Sequence, residues 1–380
     1  MRARMFQSVY NCEVSQANPA VPHFTPTFRH SRTPPQPFGT ELPKDIDVTL
    51  PATTNLPRSF YLDPEGKSQS DMTLDDINHV IVDHECRVWV DIDSSKPEQA
   101  EVFRHIAGLH PLSVEDALAK NSRPKIEEYA DYLLIIIVGV RFHEGTPDPY
   151  DLETYDVSFL LGDHFLVTVH DGPSAAIDDV AERIAKNPDL LARGTDRLAH
   201  AIMDASVDAY FPLLDKIDDF VDSLEERVIV HFDETAMPDI FAVKRLILSL
   251  RRHIGPEREV FNVLTNRPSK LLSPESQIYF RDIYDHVLRI NDSIDTYREL
   301  LSSVLDSYLT QVSNRLGKIT KGLSVIATIS IPFVVLSGMW GMNFTDIPLA
   351  DHPHAFWWMF GIQLAVGIVL LAILRFWKLL

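Results

Sequence analysis

The sequence predicts an α+β membrane protein, built from an N-terminal cytoplasmic α/β domain, long stalk helices and a C-terminal two-helix transmembrane hairpin. Three observations carry this. Two uncharged apolar runs, 322–345 and 355–374, close the chain. Strand-like and helix-like patterns alternate between about residues 72 and 187, and beyond about residue 190 helical periodicity takes over.

At ~1.5 Å per helical residue, the two dozen residues of the first run cover the roughly 30 Å hydrocarbon core. One such run alone would also suit a buried core helix. Two of spanning length, separated by a short polar link, read as a hairpin. Arg315, Lys318 and Lys321 precede the first span, and Arg375 and Lys378 follow the second. The link holds Asp346 and Asp351 but no Lys or Arg. The excess of cytoplasmic basic residues in membrane proteins therefore predicts a multi-pass protein of the cell membrane with both termini in the cytoplasm. Trp340, Trp357 and Trp358 then lie at the outer aromatic belt.

The chain has a formal net charge of −19. All but five of its 35 basic residues and all but two of its 54 acidic ones lie before residue 315. The body is thus strongly acidic, a poor surface for nucleic acid and an attractive one for cations. Cys12 and Cys86 supply no disulfide framework and fit a reducing compartment. Residues 1–57 are rich in proline and predicted to be disordered, and their start lacks the apolar core of a signal peptide.

Residues 58–190 are assigned to the α/β domain. HVIVDHECRVWVDI, DYLLIIIVGVRF and TYDVSFLLGDHFLVTVH read as strands, the last folded at Gly162-Asp163 into a hairpin. PEQAEVFRHIAGL, LSVEDALAK and PSAAIDDVAERIAK read as helices. The DHEC stretch at 83–86 imitates a metal-ligand cluster, but neighbours on a strand point to opposite faces. It is read as ordinary strand residues.

Residues 191–321 form the stalk and coiled-coil region. Leu213, Ile217, Phe220, Leu224 and Val228 recur at helical spacing, with six acids between Asp215 and Glu226 on the other faces. A solvated face explains most such runs, yet this one is also suited to attract divalent cations. Ser273-Pro274-Glu275 marks a helix start, and no proline follows until Pro332. From there Ile283, Val287, Ile290, Ile294, Tyr297, Leu301, Val304 and Tyr308 make a seam. The seam predicts one unbroken helix of about 65 residues, roughly 100 Å long, entering the membrane and needing partner helices. Two spans are too few to enclose a pore, so a ring of subunits is expected. From just before the first span, 322–342, and along it, Thr320, Ser324, Ala327, Ile331, Val334 and Gly338 form a stripe of modest side chains in which packing and pore lining coincide. The outer loop is placed at 343–354 and the second span at 355–375.

Gly341, Met342 and Asn343, just after an aromatic and between two spans, resemble the signature of the CorA magnesium transporter family. The resemblance extends to HPLSVEDAL with RPKIE soon after, to VDAYFPLLDKIDDF, to YFRDIYDH and to YLTQVSNR, and so over most of the chain from about Trp89. It implies a homopentamer whose first spans line the pore, embedded in a lipid bilayer and moving Mg²⁺, with Co²⁺ or Ni²⁺ as further cargo, down the membrane potential. It implies a selectivity ring of Gly341, Met342 and Asn343 that holds the hydrated ion through neutral oxygens. It also implies regulatory Mg²⁺ bound between subunits by Glu115, Asp116 and Asp282, with Asp285, His286 and Asp208 as secondary ligands.

This chain departs from the family in three places. Gly317 stands where the family has an Asn at the inner pore, the acids after the motif are shifted to Asp346 and Asp351, and the basic tail is short. A Zn²⁺ transporter of the same superfamily is the nearest rival, with His352 and His354 in its favour. A membrane-tethered scaffold would need no polar motif at the outer mouth. No hydrolase, zinc-protease, P-loop or dinucleotide motif points to an enzyme.

Overall fold

The computed structural model describes residues 56–82, 86–143, 150–342 and 353–377. The proline-rich segment up to residue 55, Cys12, residues 83–85, Asn343, Asp346, Asp351, His352 and Lys378 lie outside the described residues.

Seven strands form one sheet: β1 (Arg58–Leu62), β2 (Ser68–Ser70), β3 (Arg87–Asp93), β4 (Lys125–Glu128), β5 (Tyr132–Phe142), β6 (Leu152–Gly162) and β7 (Phe165–His170). Their order is β2-β1-β3-β7-β6-β5-β4, with only β3 and β7 parallel. The central strands are continuously apolar because both faces are covered. Leu133, Ile135 and Ile137 of β5 face one core, while Leu134 and Ile136 face the other. Three helices, α1 (Leu74–Val82), α2 (Pro97–Arg104) and α3 (Pro111–Leu118), cover the second of these faces.

The HVIV stretch, expected to begin a strand, belongs to α1. Thr73 and Asp76 exchange side-chain and backbone hydrogen bonds that cap this helix. Ile77 and Ile81, four residues apart, supply its buried stripe. Strands β1, β2 and β4 are short and partly exposed, so their patterns were too weak to read.

The other face carries α4 (Ala175–Lys186), α5 (Asp189–Arg193) and α6 (Thr195–Asp208), followed by α7 (Tyr210–Ile229), α8 (Met237–Asn266) and α9 (Pro274–Trp340). One apolar core runs unbroken from Trp89 and Phe159 of the sheet to Val304 and Tyr308 of α9. The start of α9 is as the sequence indicates: Ser273 Oγ accepts from the Ser276 N–H, and Pro274 occupies the first turn. All 67 residues are helical, or about 100 Å. The last helix is α10 (Ala355–Phe376).

The seam on α9 is fully or partly buried from Ile283 to Tyr308. Its partners are α7 and α8 of the same chain. The partner helices that the seam predicts thus come from its own chain, α8 running antiparallel to α9 and α7 parallel to it.

Candidate functional site

Three regions along α9 hold the residues singled out by sequence. At its far end, Gly341 terminates the helix, its N–H bonding the carbonyls of Ser337 (3.1 Å) and Gly338 (3.2 Å). Gly341 and Met342 are exposed, and Asn343 follows immediately beyond the described residues. The apolar C-terminal half of α9 and α10 are both long and apolar enough to cross a membrane.

Lower on the helix, Gly317, Thr320, Ser324, Ala327, Ile331, Val334 and Gly338 are all exposed in the single chain. The half-buried positions of the same span are Val325, Ile329, Pro332, Phe333, Leu336 and Trp340. This second set faces α10, as the seating of Phe333 on Gly367 fixes. At 3.6 residues per turn the two sets lie roughly half a turn apart. The stripe thus occupies the face of α9 turned away from α10.

The third region lies near the start of α9. Ligand atoms of Asp204, Asp208 and His286 all come within 4.8 Å of one another. His286 Nδ1 is 3.0 Å from Asp208 Oδ1, and its ring meets Phe211 edge-on at 5.4 Å. Burial raises the Asp204 carboxyl above its ordinary range, and the negative charges of Asp208 and Asp282 push the same way. Burial also lowers the His200 imidazole, which sits edge-on against Tyr279 and Phe280.

Helix geometry accounts for this convergence. His200, Asp204 and Asp208 are spaced by four along α6, as are Asp282 and His286 along α9. Two such lines meet where the helices pack. Carboxylates crowded this way gain from a shared divalent cation, with oxygen donors suiting Mg²⁺ and the imidazole widening the choice.

The other sequence-derived acids are placed differently. Asp282 and Asp285 are exposed, Asp282 one turn before His286. Glu115 is exposed on α3, whereas Asp116 is half-buried and paired with Lys125 Nζ at 2.7 Å. Asp204 was missed by sequence reading, although its spacing to Asp208 was available as a signal.

The CorA-like Mg²⁺ transporter protein family model matches residues 86–375. The cobalt/magnesium transport protein CorA of Thermotoga maritima is 32% identical over 293 residues, covering 76% of this chain and 82% of that relative. The divalent cation transporter CmaX of Pseudomonas aeruginosa is 26% identical over 276 residues, 71% of this chain and 80% of CmaX. Among solved structures, the CorA magnesium transporter from Methanocaldococcus jannaschii superposes with a TM-score of 0.72, covering 85% of this chain and 98% of that one at 22% identity. With a long helix leaving an α/β domain to enter an apolar hairpin, and with the family model spanning most of its length, the chain belongs to the CorA family of divalent-cation transporters.

Proposed function

We propose that the protein is a homopentameric channel for passive, potential-driven Mg²⁺ uptake, gated by cytoplasmic Mg²⁺, with both termini in the cytoplasm. The observation that carries this reading is the continuity of α9: one helix holds His286 of the acid and imidazole cluster and ends at Gly341. An event at the cluster can reach the membrane without crossing a loop. Five copies would set the exposed stripe around an axis, with α10 outside and Gly341, Met342 and Asn343 at the outer mouth. Glu115 and Asp116 would meet Asp282 of an adjoining subunit across shared Mg²⁺, relieving repulsion between acidic surfaces.

Passive transport is supported by the spans themselves. Residues 322–342 and 355–374 contain no Asp, Glu, Lys, Arg or His from which to build a proton relay. A divalent ion gains about 4.6 kcal/mol per 100 mV, at ~2.3 per charge. The test is flux of Mg²⁺, Co²⁺, Ni²⁺ and Zn²⁺ into proteoliposomes, side by side, under an inside-negative potential. Mg²⁺ uptake should stop when the potential is collapsed at equal concentrations, and Asn343→Ala should abolish it in an assembled oligomer. Uptake driven by a pH gradient alone would refute the channel, and a preference for Zn²⁺ would favour the zinc transporter.

A further inference from the structure

The contact between the two spans has a feature that the proposed pore does not use. Gln363 carries the one carboxamide in residues 355–374, and its Nε2 donates to Ser337 Oγ at 2.7 Å. In hydrocarbon such an amide is costly unless it finds a partner, so this bond fixes where α10 sits against α9. One turn further from the outer mouth on both helices, Phe333 packs on Gly367. A Cβ at Gly367 would lie 2.8 Å from Phe333 Cζ, so any larger residue there would push the ring from this seat. The two contacts share one antiparallel register.

Their position along α9 gives the register its importance. Pro332 lies inside the helix and removes one backbone donor, weakening the ladder there. The last two turns, from Phe333 to Gly341, are therefore steadied from outside. Ser337 is also the residue whose carbonyl accepts the Gly341 N–H at 3.1 Å. A short chain of bonds thus runs from the Gln363 amide through Ser337 to the first residue of the outer motif.

We propose that Gln363 is a positioning residue for ion selection, holding the last turn of α9, and with it Gly341, in the orientation that presents the outer motif to the incoming cation. It touches no ion and acts through Ser337. The inference rests on the functional reading above.

The test compares wild type, Gln363→Leu, Ser337→Ala, Ser337→Thr and the Gln363→Leu/Ser337→Ala pair in proteoliposomes, each matched for assembled oligomer. The readouts are half-saturating Mg²⁺, maximal flux and the Mg²⁺-to-Co²⁺ flux ratio. Gln363→Leu and Ser337→Ala should each raise half-saturation or lower the ratio about three- to tenfold, the size expected of one interhelical bond in a membrane. Maximal flux should change far less. Ser337→Thr, which keeps the hydroxyl, should behave as wild type, and the pair should be no worse than either single change. Unchanged half-saturation and ratio in assembled Gln363→Leu would overturn the inference, as would a loss confined to oligomer yield. Absence of divalent flux in wild type would instead overturn the functional reading, and the inference with it.

Discussion

Glu257 shows how a single side chain can join the two parts of the cytoplasmic body. It lies fully buried on α8, and its Oε1 accepts the Val138 N–H at 2.6 Å. Val138 lies beyond Ile136, the last β5 residue paired with β4, so its polar groups need another partner. Tyr210 Oη supplies the second, donating to the Val138 carbonyl at 2.7 Å. Burial pushes the Glu257 carboxyl up to about 8. Between the ordinary value of 4.5 and about 8, the folded protein therefore keeps a proton that the unfolded chain has released. Its contribution to stability falls as pH rises through that window and is constant above it. At ~1.36 kcal/mol per unit the effect is at most about 5 kcal/mol. Glu257→Gln keeps the acceptor and deletes the titration. Thermal unfolding of the detergent-solubilised chain should show the variant gaining on wild type between pH 5 and pH 8, and an equal difference at both would refute the assignment. In sequence Glu257 looked like any acid on a helix, because its burial depends on the sheet edge 119 residues away. Asp208 and His286 were legible from their motifs. Asp204 stands four residues before Asp208, but only the packing of α6 on α9 brings it to His286.

Among the elements, α9 was the most legible and its neighbours the least. Its start, its length and its buried stripe followed from Ser273, from the absence of proline before Pro332 and from 4-3 spacing. What periodicity could not tell was which helices cover the stripe, since a seam specifies an apolar partner without naming the chain that supplies it. The tip between α7 and α8 shows the answer locally. Phe232 stacks near Tyr308 at 5.9 Å, Tyr308 Oη donates to the Glu234 carbonyl at 3.2 Å, and Arg315 pairs with Glu234 at 2.5 Å. Ile290 is fully buried in the same seam. Ile290→Ala should cost about 2–5 kcal/mol, the range for a large-to-small core change. Because the partners belong to the same chain, chemical denaturation should show that loss undiminished in dissociated subunits. A loss confined to the oligomer would return the seam to a subunit interface.

For the whole molecule, the proposed function puts sensing and conduction at two ends of one helix. The acid and imidazole cluster at Asp204, Asp208 and His286 lies over fifty residues before Gly341, roughly 80 Å along α9 at ~1.5 Å each. Losing a cluster carboxylate should leave ion capture at the outer mouth intact and weaken only closure. For a bound cation to close the pore it must prefer the closed state, and removing ligands reduces that preference. The hairpin and the acidic body were visible in composition. The meeting of α6 with α9 was visible only in the fold. The decisive measurement is channel current in excised patches against cytoplasmic Mg²⁺, for wild type, Asp282→Ala and Asp208→Ala. Both variants should conduct as wild type in Mg²⁺-free solution and need several-fold more Mg²⁺ for half-inhibition. An unchanged inhibition midpoint in both would contradict the assignment of Asp208 and Asp282 to gating and leave them as solvated acids.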